Sequence, residues 1–118
     1  MKASEDFVVV YLYRDVVDFR KSIDGLAAII SDELRRDAFS GALFIFCCRR
    51  RDKIKALYWD KSGFALWYKR LEEEKFVWPR KHDESVMELT GEKVKLLLDG
   101  IDVWSMRPHR RLDYKKAS

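Results

Sequence analysis

No apolar run in this chain is long enough to cross a bilayer, and Met1 to Asp6 lack the hydrophobic core of a secretory signal. A cytoplasmic protein without membrane attachment is expected. Cysteine is scarce: Cys47 and Cys48 are adjacent, which suits neither a disulfide framework nor the ligand spacing of a zinc site. Histidine is limited to His82 and His109, each without a neighbouring histidine to complete a metal pair or a phosphodiester-cleaving motif. With 5 glycines and 2 prolines, the chain has no nucleotide-binding glycine loop, no collagen-like repeat and no obvious linker.

What is present in quantity is apolar and charged. The 118 residues are 47% hydrophobic and 37% charged, as in a globular protein with one core. The whole chain, residues 1–118, reads as a single domain with an ordered core of about 7–104 and a basic C-terminal tail of about 105–118. The net charge of +4 favours an anionic partner, but 20 acidic residues offset most of the 24 basic ones, so distribution matters more than total. Arg49 to Lys55 holds five cations against Asp52, and Arg107 to Lys116 holds five more, with His109 among them, against Asp113. Each stretch suits nucleic acid; each also suits a solvated loop or tail.

Phe7 to Tyr13 (FVVVYLY) predicts a first strand. Ser22 is placed to cap a helix whose stripe is Ile23, Leu26, Ala27, Ile30 and Leu34, about four turns ending near Asp37. Ala42 to Cys47 (ALFIFC) is unbroken apolar sequence and predicts a central strand covered on both faces. Lys53 to Asp60 and Phe64 to Leu71 predict a hairpin across Lys61-Ser62-Gly63, with Gly63 in the left-handed position of a bulged turn. Phe76 to Trp78 predicts another strand stopped by Pro79, and Ser85 to Leu89 a further short one. Thr90 is placed to cap a second helix with Val94, Leu97 and Leu98 inward, ended by Gly100. The fold class is therefore α+β, a mainly antiparallel sheet of about five strands with two helices.

In the bulged register Asp60 opposes Phe64, and Lys55 opposes Lys69. Ile54, Ala56, Tyr58, Leu66 and Tyr68 then form a core face, and Leu57, Trp59, Ala65 and Trp67 lie on the other with Lys53, Lys55 and Lys69. Opposed lysines are mildly unfavourable unless an anion sits between them, which a phosphate backbone would supply. Trp59 and Trp67 beside them are candidates for stacking on bases, for docking a protein, or for packing under the second helix. Arg49, Arg50 and Arg51 carry guanidinium groups suited to bidentate phosphate contacts, or to a solvated turn paired with acids.

The case for catalysis is weak. Asp18, Asp24, Asp52, Asp60 and Asp102 fall at turns and caps without the converging spacing of a divalent-metal site, and no serine or cysteine nucleophile sits in a recognised setting. Neither cofactor nor metal is expected.

Asp18-Phe19-Arg20-Lys21-Ser22 with Asp24-Gly25-Leu26, then LFIFCCRRRDKIKALYWDKSGFALWYKRLEEEKFVWP, then Leu97-Leu98-Asp99-Gly100-Ile101-Asp102 resemble the TnpB, or Orf2-like, accessory proteins of the sixty-six family of bacterial insertion sequences. The resemblance spans about residues 8 to 109 and is strongest in the central block. It implies a protein needed for transposition beside a separate, larger transposase, and it transfers no catalytic residues. The pattern departs at Cys48, where many relatives have asparagine, whose amide hydrogen bonds a thiol cannot reproduce.

The expected function is a non-catalytic accessory protein that contacts DNA at the transposon ends or within the transposition complex. Its candidate phosphate ligands are Arg49, Arg50, Arg51, Lys53, Lys55, Lys69 and Arg70, with Trp59 and Trp67 stacking or docking. The alternative is a module that docks the transposase without touching DNA.

Overall fold

The computed structural model describes residues 6–79 and 84–104. The basic tail, His82 and His109 lie outside them. Five strands, β1 (Val10–Tyr13), β2 (Leu43–Cys47), β3 (Lys53–Asp60), β4 (Gly63–Arg70) and β5 (Val86–Leu89), form one sheet in the order β4-β3-β2-β1-β5. Two helices, α1 (Ile23–Asp32) and α2 (Gly91–Leu98), complete an α+β domain. Every pairing is antiparallel except β1 with β2, which run parallel because α1 crosses between them.

Central β2 is buried at all five positions, as its unbroken apolar sequence predicts. Alternation divides the sheet into two cores. Phe44, Phe46 and Leu57 pack with Leu26, Ile29 and Ile30 of α1, and Leu43, Ile45, Ile54, Ala56 and Tyr58 pack with Val94 and Leu97 of α2.

Thr90 caps α2, its hydroxyl accepting from the Lys93 N–H at 3.2 Å, and Gly100 leaves the helix at φ 84°. Ser22 occupies the N-cap position of α1, but its side chain makes no capping bond. That helix ends at Asp32, short of the expected four turns. The N–H groups of Leu34 and Arg36 fall back on the Ile29 and Ile30 carbonyls, and Arg35 takes φ 55°.

Two expectations are corrected. Phe76 to Trp78 is not a strand: it is a buried strap on the α2 side, held by Phe76 N–H to Arg51 C=O at 2.6 Å and by Trp78 Nε1 to Tyr13 C=O at 3.2 Å. The hairpin register also differs, because its loop contains only Lys61 and Ser62. Lys61, not Gly63, takes the positive φ of 55°, Ser62 N–H donates to Asp60 C=O across it, and Gly63 pairs with Asp60 inside the ladder. Trp59 therefore faces Phe64, Lys55 faces Tyr68, Ile54 faces Lys69 and Lys53 faces Arg70. A slip of one residue reverses every side chain of β4.

Candidate nucleic-acid interface

The corrected register redistributes the cationic residues. Lys55 and Lys69 are on opposite faces and do not oppose one another. Lys55 is buried, its Nζ donating to the carbonyls of Phe19 at 2.8 Å and Lys21 at 3.0 Å, with the Phe19 ring centroid 5.0 Å away. It braces the β1–α1 loop against the sheet. Lys69 is exposed on the α2 side, where its Nζ donates to the Leu98 carbonyl at 2.9 Å and sets a cation at the end of α2.

The like-charged pair that does oppose is Lys53 with Arg70. Each has an acid nearby: Lys53 Nζ lies 3.4 Å from Asp52, and Arg70 Nε 2.8 Å from Glu72. Arg49, Arg50 and Arg51 are exposed, and none joins an ion pair among the described residues.

The loop carrying these arginines is fixed from within. Arg51 N–H donates to Cys48 C=O at 3.0 Å, and Arg51 takes φ 62°. Cys48 Sγ donates to Asp52 Oδ1 at 3.1 Å, so a thiol closes the loop. That bond, ahead of the nearby Lys53 charge, holds the Asp52 carboxyl below the usual carboxylate range. The loop's outer side is tied to the strap, the Arg51 carbonyl accepting from Phe76, and to the end of the hairpin, the Asp52 carbonyl accepting from Leu71.

The arginine loop meets the β1–α1 loop at the carboxyl ends of the two parallel strands, the place where open sheets containing parallel strands commonly hold ligands. Val17 N–H donates to Cys47 C=O at 2.9 Å and joins the loops. Between them runs a groove of about 480 Å³ lined by Val16 to Phe19, Cys48, Arg49, Arg50 and Lys53. Asp18 on its rim is held by Arg20 at 2.6 Å, and the Arg20 hydrogen bonds lower its carboxyl to about 2. A phosphate in the groove would thus face guanidinium groups and a carboxylate already partnered by Arg20.

The tryptophans separate. Trp67 is half-buried on the α2 side, packed on that core. Trp59 is half-buried at the hairpin tip, with Phe39 and Phe64 centroids 5.0 and 5.1 Å away. Tyr68, expected in the core, is 55% exposed and stands edge-on to Phe19 at 6.3 Å. Sequence reasoning places neither Phe19 nor Tyr68 in the site; a two-residue hairpin loop would have set Tyr68 on the face of Lys53 and Lys55. Among the described residues no group of three His, Cys, Asp or Glu side chains is arranged to hold a metal ion.

Comparison with known proteins agrees with this sequence's most distinctive block. The IS66 Orf2-like protein family matches residues 8–108. The chain belongs to that family. Membership connects it with the accessory machinery of insertion-sequence transposition. Relatives include two uncharacterized proteins of Sinorhizobium fredii. One, y4jC, is 37% identical over 86 residues, covering 73% of each chain. The other, y4hO, is 29% identical over 102 residues, covering 86% of this chain and 88% of its own. No solved structure matches significantly. Among the described residues no helix is long and apolar enough to cross a membrane.

Proposed function

We propose that this Orf2-like protein is a non-catalytic subunit that contacts DNA within the transposition complex through the arginine-loop end of its sheet. The observation that carries the reading is three exposed arginines, unpaired among the described residues, on a loop closed by Cys48 and Asp52 beside a groove. A pre-ordered loop backbone leaves only the arginine side chains to be ordered at binding. Arg49, Arg50, Arg51, Lys53 and Arg70 are the phosphate contacts; Lys69 lies on the other face, and Lys55 is a brace.

Binding of the purified protein to labelled transposon-end DNA, titrated with salt, tests this. The logarithm of the affinity falls linearly with that of salt, and Arg49→Ala with Arg50→Ala reduces the slope by about 2, near 0.9 for each phosphate no longer neutralised. Both side chains are exposed, so the thermal midpoint stays within about 5 °C of the parent. No binding at low salt would defeat the proposal.

A second reading, docking of the transposase without DNA contact, is favoured by a different observation. Phe39 is 60% exposed and packed against Trp59 and Phe64 at the opposite end of the sheet from the arginines. The two readings use separate ends of the molecule, so binding measured with Phe39 and arginine-loop variants separates them.

A further inference from the structure

We propose that the arginine-loop end selects a DNA strand whose bases are unpaired, with Tyr68 as the stacking platform; this rests on the DNA-contact reading above. Tyr68 sits on the same face of the sheet as Lys53 and Arg70, and more than half of it is exposed. An exposed aromatic ring on an edge strand is ordinary; one braced from beneath by a buried cation is not. The Lys55 ammonium lies 5.9 Å from the Tyr68 centroid and 5.0 Å from that of Phe19. Two carbonyl bonds fix that ammonium in turn.

Phe19 connects the platform to the groove, since it lines the groove with Arg49, Arg50 and Lys53 and meets Tyr68 edge-on. The result is an aromatic surface with Lys53, Arg70, Arg49 and Arg50 along its arginine-loop side. In a duplex the base faces are covered by their neighbours, so such a ring finds nothing to stack on and only the cations contribute. An unpaired strand offers a base to Tyr68 and phosphates to the flanking cations together.

The test is fluorescence anisotropy with one labelled oligodeoxynucleotide, single-stranded and annealed to its complement, at equal salt. The single strand binds about tenfold more tightly than the duplex, within the range of one stacked base. Tyr68→Ala removes that preference and leaves duplex binding unchanged, whereas Tyr68→Phe keeps it. Equal affinity for both forms, or a preference that survives Tyr68→Ala, overturns the inference while leaving DNA contact standing. Failure of both forms to bind at low salt defeats the DNA-contact reading and this inference with it. Circular dichroism of the Tyr68 variants, exposed at the substituted ring, confirms that a loss reflects the site rather than the fold.

Discussion

The Lys55 ammonium lies within 3.0 Å of two backbone carbonyls, those of Phe19 and Lys21, in a nearly closed site beneath an aromatic ring. Hydrogen bonds from charged donors contribute more than those from neutral ones, and here two part-buried carbonyls share one ammonium. Lys55→Met, which keeps the aliphatic stem, is expected to destabilise the domain by about 2 kcal/mol. Urea denaturation checks this, and a loss as small as that of an exposed lysine would contradict the bracing role. Cys48 is a comparable case, its thiol joined to Asp52 at 3.1 Å. Neither role is visible in the residue's type or neighbours in sequence, because both depend on contacts set by the fold.

At the scale of elements, the ends of β1 and β2 carry two groups whose protonation is coupled to folding. Burial raises the Cys47 thiol from 9.0 to about 12. Burial, and then the hydrogen bond donated to Glu33, raises the Tyr13 hydroxyl from 10.0 to about 12. Both are neutral in the folded chain at pH values where the unfolded chain has lost the proton. The stability they contribute is therefore complete below about pH 9 and falls as pH rises toward 12. The urea midpoint should decline over that range, and Cys47→Ala, though less stable at neutral pH, should decline less steeply; an unchanged decline would contradict this. The elements themselves were mostly legible. Unbroken apolar sequence identified β2, and Thr90 and Gly100 bounded α2, because those signals are local. The hairpin register was not legible, since Lys61 adopts the left-handed conformation that Gly63 was expected to take. The strap from Phe76 to Trp78 has strand-like composition, but the Phe76 N–H goes to a loop carbonyl rather than a ladder.

For the whole molecule, the one-residue register difference moved Lys55 and Lys69 to opposite faces and brought Lys53, Tyr68 and Arg70 to one. Arg49, Arg50, Arg51, Lys53 and Arg70 were therefore candidates from sequence and remain so, while the places of Lys55, Lys69 and Tyr68 depended on a register the sequence did not reveal. The sheet now has two distinct ends: arginines and Tyr68 at one, and Phe39, Trp59 and Phe64 at the other. Nucleic acid is proposed to meet the first. Amide chemical shifts of isotope-labelled protein, followed by NMR while an unlabelled single-stranded oligodeoxynucleotide is added, test that claim most directly. Saturable shifts are expected at Val16 to Phe19, Cys48 to Lys53 and Tyr68 to Arg70, with the hairpin tip unmoved. Shifts confined to Phe39 and to Trp59 through Phe64 would contradict it.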